Sequence, residues 1–251
     1  MTCLEVSGLN KSFGGLKAVA DVTFSLDDGE LLAMIGPNGA GKSTCFNMLN
    51  GQLRPDAGSI CFKGQELTGL APHDIWRLGV GRTFQITATF GSMTVVENVQ
   101  MALISHQRGF RSLFGRAANL YRDEAMTLLE RIGIAEQAAR PCGVLAYGDL
   151  KRVELAIALA NDPGLLLMDE PTAGMAPAER VELMSLTGEL VRERKIAALF
   201  TEHDMDVVFT HADRIMVLNR GQIVAAGSPE AVRNDPHVQE IYLGQSMQGA
   251  A

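Results

Sequence analysis

The sequence predicts an α/β fold with a helical segment set into it, on three observations. Short apolar runs recur in the first and last thirds of the 251-residue chain. A glycine-rich loop joins one of those runs to a helix, and strand signals are lacking between residues 86 and 160. A chain of this length can bury one substantial core with a subdomain grafted onto it.

Each element follows from local pattern. Leu4 and Val6, then Val22, Phe24 and Leu26, alternate with other residues, the period of half-buried strands. The apolar run Leu31–Ile35 enters the glycine-rich loop, and a helix is expected from Lys42 to Asn50, stopped by Gly51. Ile60 and Phe62 read as another edge strand. Thr94 stands three residues before Glu97, a capping box that starts a helix. Leu120, Met126 and Leu129 space a helix over residues 116–132, ended by Gly133.

Apolar periodicity then shortens again. Residues 165–168, 196–200 and 215–218 read as buried strands, and Pro177 suits the first turn of a helix running to Val191. Asn219 to Gln222 is a turn leading into a strand at residues 223–225. Ser228-Pro229 and Asp235-Pro236 each read as a helix cap followed by a first-turn proline. The tail after Leu243 is small and polar and is expected to fray.

Composition narrows the function. The formal charge of -7 lacks the basic footprint of a nucleic-acid binder. No apolar run approaches the ~20 residues needed to cross a bilayer, and no secretory signal opens the chain. Cys3, Cys45, Cys61 and Cys142 show no metal-ligand spacing and read as reduced, buried thiols.

Two motifs carry chemistry. Gly36, Pro37, Asn38, Gly39, Ala40, Gly41, Lys42 and Ser43 fit the spacing G-x-x-x-x-G-K-[ST]. Phosphate oxygens need several donors at once, and the glycines let successive backbone N–H groups point inward. The positive end of the following helix adds to that field. Lys42 is expected to reach the β- and γ-phosphates, Ser43 to ligate Mg²⁺, and Thr44 to contact the α-phosphate. The second motif is an apolar strand ending in Asp169 and Glu170. Ligands of open α/β sheets bind at the carboxyl ends of strands. Asp169 is expected to hold Mg²⁺, and Glu170 to serve as general base or to position the attacking water, a role worth 10²–10⁴-fold in rate.

Around these motifs the chain resembles the ATP-binding-cassette (ABC) ATPases over about residues 4 to 244. Gln85 looks like the glutamine linking Mg²⁺ and the attacking water to a membrane partner, and His203 like the switch histidine at the γ-phosphate. Phe13 resembles the aromatic that stacks on adenine. Leu145, Ala146, Tyr147, Gly148 and Asp149 resemble the signature loop that touches the nucleotide of a second cassette. The resemblance implies a single cassette, with a mixed core sheet and an N-terminal antiparallel β-subdomain in residues 1–85 and 161–251. It places a helical subdomain in residues 86–160. It also implies ATP and Mg²⁺ as ligands and hydrolysis between two cassettes packed head to tail.

Two positions depart from the family pattern. Ala146 stands where serine is usual, which removes a hydroxyl contact to the opposite γ-phosphate; bonds to charged groups contribute ~1.5–3 kcal/mol. Ala176 stands where aspartate is usual, which puts some signalling across the dimer in doubt.

Within the family, Gly81-Arg-Thr-Phe-Gln85, Met93 to Asn98, the signature Leu145-Ala-Tyr-Gly148, Ala173-Gly174 and the ending Tyr242-Leu-Gly244 look most like the ATPases of bacterial branched-chain amino acid importers. That branch implies a different second cassette as partner, two transmembrane permease subunits and, indirectly, a periplasmic solute-binding protein. It places the chain peripherally on the cytoplasmic face of the inner membrane, with no nucleic-acid partner. The ATPases of lipopolysaccharide export are similar and form the alternative; a non-transport cassette is the more distant one. No [NT]-K-x-D guanine motif follows a strand, which argues against a GTPase.

Overall fold

The computed structural model describes residues 1–83, 89–106 and 120–248, with side chains to Tyr242. Two sheets organise them. A four-stranded antiparallel sheet has the order β2-β1-β4-β5, formed by β1 (Thr2–Phe13), β2 (Leu16–Asp27), β4 (Ala57–Phe62) and β5 (Gln65–Glu66). A six-stranded sheet has the order β10-β9-β3-β8-β7-β6, formed by β3 (Leu31–Ile35), β6 (Val80–Thr83), β7 (Leu165–Asp169), β8 (Ala197–Thr201), β9 (Arg214–Asn219) and β10 (Gln222–Gly227). Its strands pair in parallel except for the β9–β10 hairpin, so the sheet is mixed.

The apolar runs are apolar because both faces of this sheet are covered. Along β8, Ala197 and Leu199 face one core while Ala198 and Phe200 face the other. The same alternation divides Leu165 and Leu167 from Leu166 and Met168 in β7. One core lies against the antiparallel sheet and helix α1 (Lys42–Leu49). The other lies beneath α5 (Tyr147–Leu159), α6 (Pro177–Arg194) and α7 (Met205–His211). Between β6 and β7 the described residues form α3 (Val95–His106), α4 (Arg122–Arg131), two short 3-10 turns and α5, with a single bridge between Thr94 and Pro141. α2 (Pro72–Arg77), α8 (Pro229–Arg233) and α9 (Pro236–Gln248) complete the described elements.

Several expected caps are present. The Thr94 hydroxyl and backbone N–H both donate to Glu97 Oε2 at 2.8 Å. Ser228 Oγ accepts from the Ala231 amide, and Asp235 Oδ1 from the His237 amide.

Three expectations need correction, and one strand carries no sequence signal. β4 is an inner strand of its sheet, because the two-residue β5 covers its far edge. β6 has no strand pattern of its own: Val80–Thr83 has one apolar position of four at its start and a glycine next, and it is held by pairing with β7. Residues 120 and 121 form a turn, with Tyr121 left-handed at φ 55°, so α4 begins at Arg122. α9 continues to Gln248, through the stretch expected to fray.

Candidate functional site

The order of the large sheet sets β3, β8 and β7 side by side, and their carboxyl ends carry the two motifs and His203. The loop after β3 curls because its glycines permit it. Gly36, Gly39 and Gly41 have φ of 149°, 79° and 107°. A Cβ at Gly36 would stand 2.1 Å from Leu218 O, and one at Gly41 would stand 2.4 Å from Ala18 O. No side chain fits at either position. The loop is also tied to its neighbours: the Gly221 amide donates to Ala40 O at 2.9 Å, and the Ala20 amide to Gly221 O at 2.8 Å.

Lys42 lies folded into this loop, only 8% exposed. Its ammonium donates to Gly36 O at 2.6 Å and Pro37 O at 3.1 Å. Burial pulls its pKa below the usual lysine value, while the carboxylates of Glu170 and Asp169 push it back up. An added anion would meet a partly desolvated cation here.

Asp169 ends β7 and accepts a 2.7 Å bond from the Thr201 hydroxyl of β8. At Glu170 the backbone turns left-handed, with φ 50°. A non-glycine residue in that region costs roughly 1–3 kcal/mol and persists where its surroundings over-determine it. Here the Glu170 amide is held by Thr201 Oγ1 at 3.0 Å and Thr201 O at 3.2 Å. The Glu170 carboxylate then meets His203 Nε2 at 2.9 Å. The imidazole is 52% exposed and faces the same cleft.

That cleft has a volume of about 570 Å³. Phe13, residues 38–44, Glu170 and His203 line it. Leu16, Lys17, Ala18 and Arg220 line it too and were not read from sequence. Arg220 carried only a turn signal, and its left-handed φ of 49° at the β9–β10 turn is what brings it there. Lys17 and Arg220 add two cations to the rim.

Of the other predicted residues, Gln85 lies outside the described residues. Asp169 is buried at the end of β7, 8% exposed, and Gly36 and Pro37 open the loop; none of these three lines the cleft. Leu145 to Asp149 sit at the start of α5, where Ala146 is the N-cap without a side-chain bond. Tyr147 lies against Gly174, where a Cβ would meet its ring at 3.0 Å, and Gly148 lies against the Glu179 carboxylate. No residue of 145–149 lines the cleft of its own chain.

Behind the loop, α9 brings Tyr242 towards Gly36. Its hydroxyl is buried, and the Gly36 amide approaches it without reaching hydrogen-bond geometry. Burial pushes the phenol up to about 12, against a smaller downward pull from that amide. The cysteines are free thiols, with Cys3, Cys45 and Cys142 buried. Among the described residues there is no cluster of three metal-ligating side chains, and no helix is long and apolar enough to cross a membrane.

Comparison with known proteins gives the family. Residues 19–173 match the family described as ABC transporter, and residues 222–246 match the one described as Branched-chain amino acid ATP-binding cassette transporter. The chain is 44% identical over 252 aligned positions to the high-affinity branched-chain amino acid transport ATP-binding protein LivG of Escherichia coli (strain K12), covering 97% of this chain and 98% of that one. It is 41% identical to the corresponding protein BraF of Pseudomonas aeruginosa over the same shares of the two chains. A crystal structure of the ADP conformation of an ATP-binding cassette of an ABC transporter superimposes with a TM-score of 0.87 at 33% identity, covering 97% of this chain and 99% of that chain. With a phosphate loop, a strand-end acid pair and a histidine gathered at the ends of adjacent strands, and with these relatives over nearly its whole length, the chain belongs to the ABC transporter family as an ATP-binding cassette, the ATPase subunit whose hydrolysis of ATP drives transport.

Proposed function

We propose that this cassette powers a bacterial importer of branched-chain amino acids or a closely related small solute. The C-terminal match at residues 222–246 and the full-length relatives from Escherichia coli and Pseudomonas aeruginosa support that branch. In this reading the chain sits peripherally on the cytoplasmic face of the inner membrane. It pairs with a second, different cassette and two permease subunits, and a periplasmic binding protein delivers solute. Residues 86–160 form the arm that meets the permeases. The groove of about 280 Å³ bounded by Pro72, Ile75, Trp76, Val80, Arg82 and Ile157 offers an apolar seat beside that arm.

The observation that carries the catalytic reading is the meeting of Glu170 and His203 in the cleft that the phosphate loop also lines. The main-chain amides of residues 38–43 receive the phosphates. Lys42 exchanges its two carbonyl partners for β- and γ-phosphate oxygens, which form stronger, charge-assisted bonds. Phe13, half-exposed at the rim, offers its face to the adenine. Glu170 accepts a hydrogen bond from the attacking water and aims it, while His203 donates to the γ-phosphate and keeps the Glu170 carboxylate in place. Residues 145–149, held off their own cleft, contact the nucleotide of the opposite cassette.

Mg²⁺ fits this donor set. The Ser43 hydroxyl and the Asp169 carboxylate are oxygen donors of the kind a hard cation prefers, and Gln85 adds an amide oxygen in the family pattern. Bound there, the ion would neutralise charge on the β- and γ-phosphate oxygens.

Glu170→Gln, introduced into cells, tests the reading. It is expected to abolish uptake of labelled leucine, while the purified variant still binds a fluorescent ATP analogue and loses ATP turnover by at least ~100-fold. Turnover near wild type would remove Glu170 from its role. Leucine uptake unaffected by deletion of this gene would reject the transported solute.

A further inference from the structure

His203 is suspended between two residues that are both bonded to the segment following β7. On one side, Glu202 is buried, and its Oε1 accepts from the Thr172 amide at 2.9 Å and the Thr172 hydroxyl at 2.6 Å. Its Oε2 accepts from the His203 amide at 3.2 Å. On the other side, Asp204 Oδ2 accepts from Arg180 Nη1 at 2.6 Å. The same guanidinium donates through Nε to Met175 O at 2.8 Å. Arg180 therefore ties the turn before α6 to the residue after His203, and Thr172 ties that turn to the residue before it.

The outer tie is also anchored to its own helix. Asp204 Oδ1 accepts from the amides of Asp206 and Val207, capping α7. Burial pushes the Asp204 carboxyl up, but Arg180 and those two amides outweigh it and hold the group below its usual range. It is thus ionised wherever the protein works. Arg180 and Asp204 are 29% and 30% exposed. Ion pairs at such exposure add little to folding stability. Their geometric effect is larger, because a guanidinium fixed at two atoms defines a distance that a single contact does not.

We propose that Arg180 is a positioning residue: with the Thr172–Glu202 contact, it sets the place of His203 against Glu170 from the turn at residues 172–176. The inference rests on the role given to His203 above. That turn also carries Gly174, against which Tyr147 packs. A displacement of the loop at residues 145–149 therefore has a connected route to the histidine: Tyr147, Gly174, Met175, Arg180, Asp204. Tyr147 packs where a Gly174 side chain would stand, Met175 follows in the chain, and Arg180 is hydrogen-bonded to Met175 O and Asp204 Oδ2; none of these links passes through the nucleotide.

The test uses the assembled transporter with MgATP. Arg180→Ala is expected to lower kcat about tenfold and to change KM less than about twofold, since misplacing a reacting group costs rate more than binding. In a His203→Ala background the same substitution is expected to have no further effect. An equal loss in both backgrounds, or no loss in the first, overturns the proposal. A His203→Ala variant with wild-type turnover would instead overturn the role of the histidine itself, a distinguishable failure. Arg180→Lys is the second variant. It keeps a cation for Asp204 without the fork that reaches Met175, and an intermediate kcat is expected; full loss of activity equal to Arg180→Ala would reject the charge contact. As an independent readout, the chain has five histidines. In spectra of the ring carbons of the isolated chain, Arg180→Ala should shift the His203 signal and leave the other four in place. An unmoved His203 signal counts against the link.

Discussion

Glu170 and His203 hold each other at 2.9 Å through protein atoms alone, so the group proposed to aim the water is set in place by the fold. Pre-set groups reduce the reorganisation a reaction must undergo. Ala146 is the opposite case, a position where the chain lacks a polar group. It is the N-cap of α5, with φ -62° and ψ 153°, a conformation that serine adopts without strain. Ala146→Ser should therefore do two things. A capping hydroxyl adds about 1 kcal/mol to stability and, for a chain of this size, raises Tm by about 2–4 °C, measurable by calorimetry. If the loop meets the opposite nucleotide, ATPase activity of the assembled complex should rise or hold. A fall in Tm would show that the Glu179 carboxylate beside Gly148 leaves no room for the new hydroxyl.

At the level of elements, the phosphate loop depends on contact with β2 and with the β9–β10 hairpin. Gly36→Ala brings a methyl group 2.1 Å from Leu218 O, closer than any real side chain. It should abolish binding of an ATP analogue, and β3 and β9 should separate locally, visible as faster amide exchange at Val217 and Leu218. Normal nucleotide affinity in this variant would mean the loop is far more plastic than its packing shows.

The sequence spoke clearly about elements whose pattern is self-contained. The alternating runs of β1 and β2, the four buried strands, the capping box at Thr94 and the proline-started helices all stand where periodicity and capping chemistry place them. It was silent where the cause lies elsewhere in space. β6 exists because β7 pairs with it, β4 is interior because a two-residue strand happens to cover it, and Arg220 reaches the cleft because a hairpin turn aims it. Arg180 is the sharpest instance. Its spacing in α6 gives no hint that it meets Asp204, because that contact depends on the order β8-β7 in the sheet.

For the whole molecule, the telling fact is what the cleft omits. The loop at residues 145–149 lies at the head of α5, away from the phosphate loop of the same chain. In the head-to-tail arrangement proposed above, each nucleotide would take that loop from a partner. The purified chain alone should therefore turn over ATP slowly, with a specific activity that rises with protein concentration, and adding the second cassette should raise it further. Activity independent of concentration would mean that one chain suffices.

Tyr242 has a consequence in time as well as in space. It buries its hydroxyl beside Gly36, yet the two residues are 206 positions apart in a chain of 251. During synthesis the tyrosine leaves the ribosome 206 residues after the glycine. The rear wall of the cradle is thus laid only once that whole stretch has emerged, and polypeptides terminated within it are left with an unfinished one.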